Sequence, residues 1–125
     1  YVIGSQLLQI TRDHSLVGEM VRMGELTEEE GRLHPDKNII TRALGINPEV
    51  KVDFFDVKLE ENNSIMMCSD GLSNMVSAEE IYQTVSACEG AQTKAQCLIN
   101  KANENGGKDN IAVIVIEPFT DEVNV

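Results

Sequence analysis

The sequence predicts an α+β fold built from antiparallel strands and flanking helices. Two short apolar runs, residues 64–69 and 111–117, have the composition of buried strands. Two capping boxes, Thr27-Glu28-Glu29-Glu30 and Ser77-Ala78-Glu79-Glu80, mark helix starts. A further helix is indicated from Thr93 to about Asn103, where apolar residues recur at helical spacing. Strands and helices in this arrangement suit a layered sandwich.

Local patterns predict the elements of the N-terminal third of the chain. Tyr1-Val2-Ile3 lies inside a predicted hairpin, and residues 7–11 form the next predicted strand. A helix is predicted from Ser15 to Met23, and the first capping box begins a short helix near 28–33. The apolar face of the longer helix consists of Leu16, Val17, Met20 and Val21.

Strands are then predicted near 39–43, 50–59 and 64–69. The last of these is so uniformly apolar that both of its faces should be covered. The second capping box opens a helix that extends to about Cys88, and Gly106-Gly107 ends the helix over 93–103. Residues 111–117 form the final predicted strand.

Two carboxylates stand at the ends of the two apolar strands. Asp70 follows the 64–69 run in a Ser-Asp-Gly sequence, and Asp109 precedes the final strand in an Asp-Asn sequence. If these strands are antiparallel neighbours, both residues fall on the same rim of one sheet. Two carboxylates brought together there repel each other unless a cation lies between them. The sequence therefore predicts a divalent metal site.

Asp13 is a third candidate ligand. It follows the 7–11 strand, and it emerges at the same rim if that strand runs in the direction of residues 65–68. Hard oxygen ligands favour Mg²⁺ or Mn²⁺, and such ions activate water and hold phosphoryl groups. Each residue also has a simpler interpretation: Asp70-Gly71 and Asp109-Asn110 as turns, and Asp13 as a helix N-cap.

Four motifs occur along the chain in a characteristic order. They are Thr11-Arg12-Asp13-His14-Ser15-Leu16, Asn38-Ile39-Ile40-Thr41-Arg42-Ala43-Leu44-Gly45, Cys68-Ser69-Asp70-Gly71-Leu72 and Gly107-Lys108-Asp109-Asn110-Ile111. In this order they resemble the protein phosphatase 2C family, the metal-dependent serine/threonine phosphatases, in its bacterial form. The resemblance implies a four-layer α/β/β/α sandwich of antiparallel sheets. It further implies that residues 1–125 are the C-terminal half of one such catalytic domain.

The resemblance also implies a set of ligand roles. Asp70 would bridge toward or bind a centre of two Mn²⁺ or Mg²⁺ ions, Asp109 would hold one of them, and Asp13 would help to hold a weaker third ion. Relatives often add a second carboxylate four residues after the Asp70 position, where this chain has Asn74. The phosphate-binding Arg and the candidate general acid belong upstream of Tyr1, so no catalytic residue is identified within this chain. Neither His14 nor His34 matches the position of that general acid, and both are expected to be exposed or to brace loops.

The implied activity is hydrolysis of phosphoserine and phosphothreonine in proteins by a metal-activated water that attacks phosphorus directly. The isolated chain is expected to be inactive. Two alternatives stay open: a non-catalytic divalent-ion-binding or interaction module of the same fold, and a regulator phosphatase of the sporulation or anti-sigma type. The polar segment from Met23 to Arg42 resembles the flap of bacterial relatives and favours the stand-alone phosphatase, although an ordinary connector is also consistent with it.

Composition restricts the partners. The formal net charge of −11 argues against nucleic acid and anionic membranes. The sequence shows no targeting signal and no long apolar run, so nothing in it argues for export or a membrane span. Three cysteines are an odd number, which suggests a reducing cytoplasm. The cysteines are expected to be core thiols. The expected substrates are proteins phosphorylated on Ser or Thr. The resemblance implies that they are substrates of a cognate Ser/Thr kinase. The chain alone is expected to self-associate or to pair with its missing N-terminal half.

Overall fold

The computed structural model describes residues 1–118 and divides the chain into two compact units. Among the described residues, the first unit contains residues 1–10 and 57–118, and the second contains Thr11–Asp56. In the first unit four strands form one sheet: β1 (Val2–Ile3), β2 (Leu7–Leu8), β3 (Ser64–Cys68) and β4 (Val113–Ile116). Their order is β2-β1-β3-β4, and all neighbours are antiparallel. The predicted hairpin at the start of the chain and the α+β class are confirmed.

Three helices of the first unit cover one face of this sheet. They are α3 (Asp70–Ser73), α4 (Ala78–Ala87) and α5 (Ala91–Glu104). The second unit contains the first two helices of the chain, α1 (Leu16–Arg22) and α2 (Glu28–Leu33). Because side chains alternate along a strand, Met66 and its partner Val115 point to the same side. This side forms the core with the helices. The buried core residues are Ile3, Met66, Leu72, Val76, Ile81, Val85, Leu98 and Ala102.

The opposite face of the sheet is apolar and exposed. Met67 and its partner Ile114 retain 49% and 55% of their accessible surface, and Leu8 retains 51%. The prediction that both faces of the 64–69 strand are covered is therefore wrong for residues 1–118 of this chain. Its periodicity could not show this, since a run such as Ile65-Met66-Met67 is apolar on both sides whether or not a second layer is present.

Capping boxes in the sequence correctly predict where α2 and α4 begin. Ser77 Oγ accepts a hydrogen bond from the Glu80 backbone N–H at 3.3 Å, and Glu80 Oε2 accepts one from the Ser77 N–H at 2.9 Å. The Thr27–Glu30 capping box at the start of α2 is likewise complete. Both predicted boxes are thus confirmed, because each depends only on residues within one turn of helix. In residues 1–118 no helix combines the length and the apolar character needed to cross a membrane.

In the second unit two short helices pack together. Val17 of α1 is buried, and a Cβ added at Gly31 of α2 would lie 3.0 Å from its side chain, so glycine permits the close contact. The strands predicted near 39–43 and 50–59 are not formed; the region contributes a single bridge between Ser15 and Ile40. A strand requires a partner for its backbone hydrogen bonds. No ladder partner faces residues 50–59 within the described chain, so apolar composition alone was misleading there.

Candidate metal centre

Asp70 is placed by the end of β3. The strand stops at Cys68, Ser69 adopts an extended N-cap conformation, and Asp70 is the first residue of the four-residue helix α3. Its backbone carbonyl accepts a hydrogen bond from the Asn74 N–H at 2.9 Å. The carboxylate is exposed, and it forms no ion pair with a basic side chain in the described part of the chain.

Asp109 is placed by the approach to β4. Its Oδ1 accepts a hydrogen bond from the Asn110 backbone N–H at 2.7 Å, which orients the carboxylate on the loop that leads into the strand. The residue is exposed. In residues 1–118 it also has no basic partner, so both carboxylates retain oxygen lone pairs that a cation could use.

Ser69 and Gly71 fasten these two segments together. The Ser69 backbone N–H donates to the Ala112 carbonyl at 3.0 Å, while Ser69 Oγ accepts from the Ala112 N–H at 3.0 Å. Gly71 is buried against the loop, and a Cβ built on it would overlap the Asn110 carbonyl oxygen. Sequence reasoning did not single out these two positioning residues. Their signal was the Ser-Asp-Gly sequence itself, in which small residues flank the acidic one.

The antiparallel pairing of β3 with β4 is confirmed, with Cys68 opposite Val113. Asp70 leaves the end of β3 and Asp109 enters the start of β4, so both lie at the same end of this strand pair. Within residues 1–118, no group of three or more His, Cys, Asp or Glu side chains is arranged to hold a metal ion. The chain thus brings two of the predicted acidic residues to one edge without completing a centre around them.

Asp13 lies in the second unit, on a loop before α1. Its carbonyl accepts a hydrogen bond from Arg22 Nη1 at 3.3 Å, and the carbonyl of the next residue, His14, accepts one from the Thr41 N–H at 2.8 Å. Strand β2 runs in the same direction as β3, since both are antiparallel to β1, as the hypothesis required. The role of Asp13 as a ligand stays a prediction.

An ion-pair network braces the same loop. His14 Nε2 lies 2.7 Å from Asp53 Oδ2, and Arg42 Nη1 lies 3.0 Å from Asp53 Oδ1. The Arg42 hydrogen bond, followed by that of His14, holds the pKa of Asp53 below its ordinary value of 3.8. His14 therefore has the loop-bracing role expected of it. No sequence motif indicated its partner Asp53, which is 39 residues away.

The second histidine also serves its own loop. His34 is the C-cap of α2, and its Nδ1 accepts a hydrogen bond from the Asp36 backbone N–H at 3.1 Å. This contact lies within one turn and involves no group of the Asp70–Asp109 edge. His34 was expected to be exposed or to brace a loop, and the structure shows the second of these.

Comparison with known proteins gives these residues a context. No protein-family model matches the chain. The serine/threonine phosphatase Stp of Listeria monocytogenes is 42% identical over 118 residues, which are 94% of this chain and 47% of that protein. The chain thus spans about half the length of the curated relatives it matches.

Solved structures agree with this similarity. The PPM Ser-Thr phosphatase MsPP of Mycobacterium smegmatis superposes with a TM-score of 0.84 at 37% identity, over 94% of this chain and 50% of that one. The catalytic domain of the phosphatase PstP, determined in complex with two manganese ions, has a TM-score of 0.75 at 32% identity over 92% of this chain and 47% of its own. The chain is therefore similar to PPM, or protein phosphatase 2C-type, serine/threonine phosphatases over about half of their length.

Proposed function

We propose that the full-length protein is a metal-dependent phosphatase acting on phosphoserine and phosphothreonine in proteins. The observation that carries this proposal is the shared edge formed by Asp70 and Asp109, two exposed carboxylates that follow β3 and precede β4. The names of the homologues, which are serine/threonine phosphatases, supply the reaction. The substrates would be phosphoproteins, among them targets of a cognate Ser/Thr kinase.

The donor set at this edge fits Mn²⁺ or Mg²⁺. Both candidate ligands supply carboxylate oxygens, which hard divalent cations prefer, and neither carboxylate is neutralised by a basic side chain in residues 1–118. Two such ions, when bound, would lower the pKa of a bound water and neutralise charge on the phosphoryl group.

The side chains of this chain would hold the metal ions and fix their positions. Asp70 and Asp109 would bind the two ions from adjacent segments, and Ser69 keeps those segments joined through both of its hydrogen bonds to Ala112. A fixed separation between the ligands matters because preorganised charges stabilise a transition state more than mobile charges do. Since no group of three or more possible ligands is formed within residues 1–118, the remaining ligands would come from the other half of the domain.

The uncovered face of the sheet supports the proposal that residues 1–125 are the C-terminal half of one catalytic domain. Met67 and Ile114 are paired on that face and remain about half exposed. A contiguous apolar surface of this kind usually packs against a partner. In the complete domain a second sheet with its own helices would cover it, which would produce the four-layer sandwich.

A weaker third ion would use Asp13. Two consecutive backbone carbonyls hold the loop that carries Asp13. The Asp13 carbonyl accepts a hydrogen bond from Arg22, and the next carbonyl accepts one from Thr41, so the backbone position of Asp13 is well defined. Asn74 stands one helical turn after Asp70, where it supplies a neutral side chain in place of an anionic one. The third site would therefore bind its ion weakly.

The test is removal of each carboxylate in the full-length protein. Asp70→Asn and Asp109→Asn preserve side-chain size but remove the charge that binds the metal. We expect each to reduce Mn²⁺-dependent hydrolysis of p-nitrophenyl phosphate and of a phosphothreonine peptide by roughly 10²-fold or more. Binding of Mn²⁺, measured by calorimetry, should weaken in parallel.

Asp56→Asn is the matched control, because Asp56 is also an exposed aspartate but belongs to the second unit, whereas Asp70 and Asp109 belong to the first. It should leave both activity and Mn²⁺ affinity unchanged. Circular dichroism would establish that all three variants are folded. Wild-type turnover in folded Asp70→Asn would refute the assignment, and Mn²⁺ binding without turnover in the wild type would favour a non-catalytic ion-binding module.

A further inference from the structure

Two cysteines that are nine positions apart meet between helices α4 and α5. Cys88 is the C-cap of α4, with an extended backbone, and Cys97 lies within α5. Their Sγ atoms are 2.7 Å apart, and both residues are partly buried. The expectation of core thiols did not foresee this contact, because it arises from the packing of the two helices and not from the local sequence.

The separation of the two sulphur atoms is unusually short for groups that are not bonded. A disulfide bond measures about 2.05 Å, and even carbon atoms make their best non-bonded contacts only at about 3.5–4.0 Å. The distance of 2.7 Å between the two sulphur atoms therefore lies between a covalent bond and an ordinary non-bonded contact. Neither helix would need to move far for the bond to form.

The contact also affects the Cys88 thiol. The hydrogen bond to Cys97 and partial burial raise the pKa of this thiol, although the charge of Lys94 opposes the effect. The reactive form of a thiol is the thiolate. Once one of the two sulphur atoms has been oxidised, the other is already in contact with it and can attack it.

We propose that Cys88 and Cys97 form a peroxide-reactive dithiol that closes to a reversible disulfide between α4 and α5. In the first step the sulphur of one of the two cysteines attacks one oxygen of hydrogen peroxide, the O–O bond breaks, and the other oxygen leaves as water after taking up the proton of that thiol. In the second step the sulphur of the other cysteine attacks the sulphur of the sulfenic acid, and the S–O bond breaks. The hydroxyl group leaves with the proton of the second thiol as a second water.

The balance is complete: two thiols lose two protons and two electrons, and one peroxide becomes two waters. A small thiol such as dithiothreitol reverses the reaction by exchange. The bond would constrain the helix layer without touching Ser69, Asp70 or Asp109. Its formation is therefore independent of the proposed phosphatase activity, and it should raise the melting temperature, since a cross-link restricts the unfolded chain.

The experiment treats the full-length protein with hydrogen peroxide, blocks the remaining thiols with iodoacetamide and digests with trypsin and Glu-C. Cleavage after Glu80, Glu89, Lys94 and Lys101 separates all three cysteines onto different peptides. We expect residues 81–89 linked to residues 95–101, at a mass two hydrogens below the sum of the free peptides. Dithiothreitol should restore both free peptides and the original melting temperature.

Cys68→Ser is the matched control and should retain both the linked peptide and the upward shift in melting temperature. Cys97→Ser should lose both. Failure of wild-type protein to give the linked peptide under excess peroxide would overturn the proposal without reference to any variant. Linkage of either cysteine to Cys68 would overturn it as well, because it would contradict the observed pairing.

Discussion

Gly71→Ala tests how closely the two segments of the candidate metal centre approach each other. The added methyl group would overlap the Asn110 carbonyl oxygen, which is a backbone atom and cannot rotate away as a flexible side chain can. The loop before β4 would have to move, and with it the two hydrogen bonds between Ser69 and Ala112. The same movement would carry Asp109 away from Asp70.

The magnitude follows from three contributions. Two hydrogen bonds contribute about 1 kcal/mol each to the free energy of unfolding, and overpacking costs about 1–3 kcal/mol when neighbours must shift. The two costs overlap, because the shift is what breaks the bonds, and alanine regains about 1 kcal/mol of helix propensity over glycine. We expect a net loss of about 2 kcal/mol in the free energy of unfolding.

Urea denaturation of the full-length protein measures this loss, and calorimetry measures the affinity for Mn²⁺. Affinity should fall by about tenfold if the displaced Asp109 is a ligand. Ser73→Ala in the same helix is the control, because it raises helix propensity without introducing a clash, and it should change neither quantity appreciably. A Gly71→Ala protein as stable as the wild type would refute the close approach itself. Lost stability with unchanged Mn²⁺ affinity would instead refute the ligand role of Asp109.

Further predictions concern metal affinity, capping, pH and the isolated chain. Asn74→Asp in the full-length enzyme adds an anionic oxygen one turn after Asp70 and should lower the Mn²⁺ concentration for half-maximal activity; an equal or higher requirement would count against the third site. Ser77→Ala removes the cap of α4 and should cost about 1 kcal/mol in urea denaturation, whereas Ser86→Ala, exposed on the same helix, should cost little. The Ser77 backbone hydrogen bond lowers the pKa of Glu80 from 4.5, so its stabilisation is complete above pH 4.5 and is lost as the pH falls through the lower folded-state pKa; Glu80→Gln should flatten the stability–pH curve in that acid range, and an unchanged slope would contradict this. The purified 125-residue chain should show no turnover of a phosphothreonine peptide with Mn²⁺ and should sediment as an oligomer, and clear turnover by a monomer would disprove both expectations.

Local sequence predicted four helices, α1, α2, α4 and α5, and the two paired apolar strands, but not the short helix α3. The Ser77–Glu80 and Thr27–Glu30 capping boxes act within one turn, so their residues suffice to locate α4 and α2. The apolar runs before Asp70 and after Asp109 likewise predicted β3 and β4 and, through antiparallel pairing, the shared edge. The ordered motifs predicted the family of the proteins to which the chain is similar.

Tertiary structure alone decided the contacts between residues distant in sequence. The pairing of His14 with Asp53 spans 39 positions, and the Cys88–Cys97 contact depends on how two helices pack. It also decided that residues 50–59 form no strand, because strand formation needs a partner and not only apolar composition. The exposure of Ile114 could not be predicted from the sequence either, because burial depends on whether another layer of structure packs against the side chain.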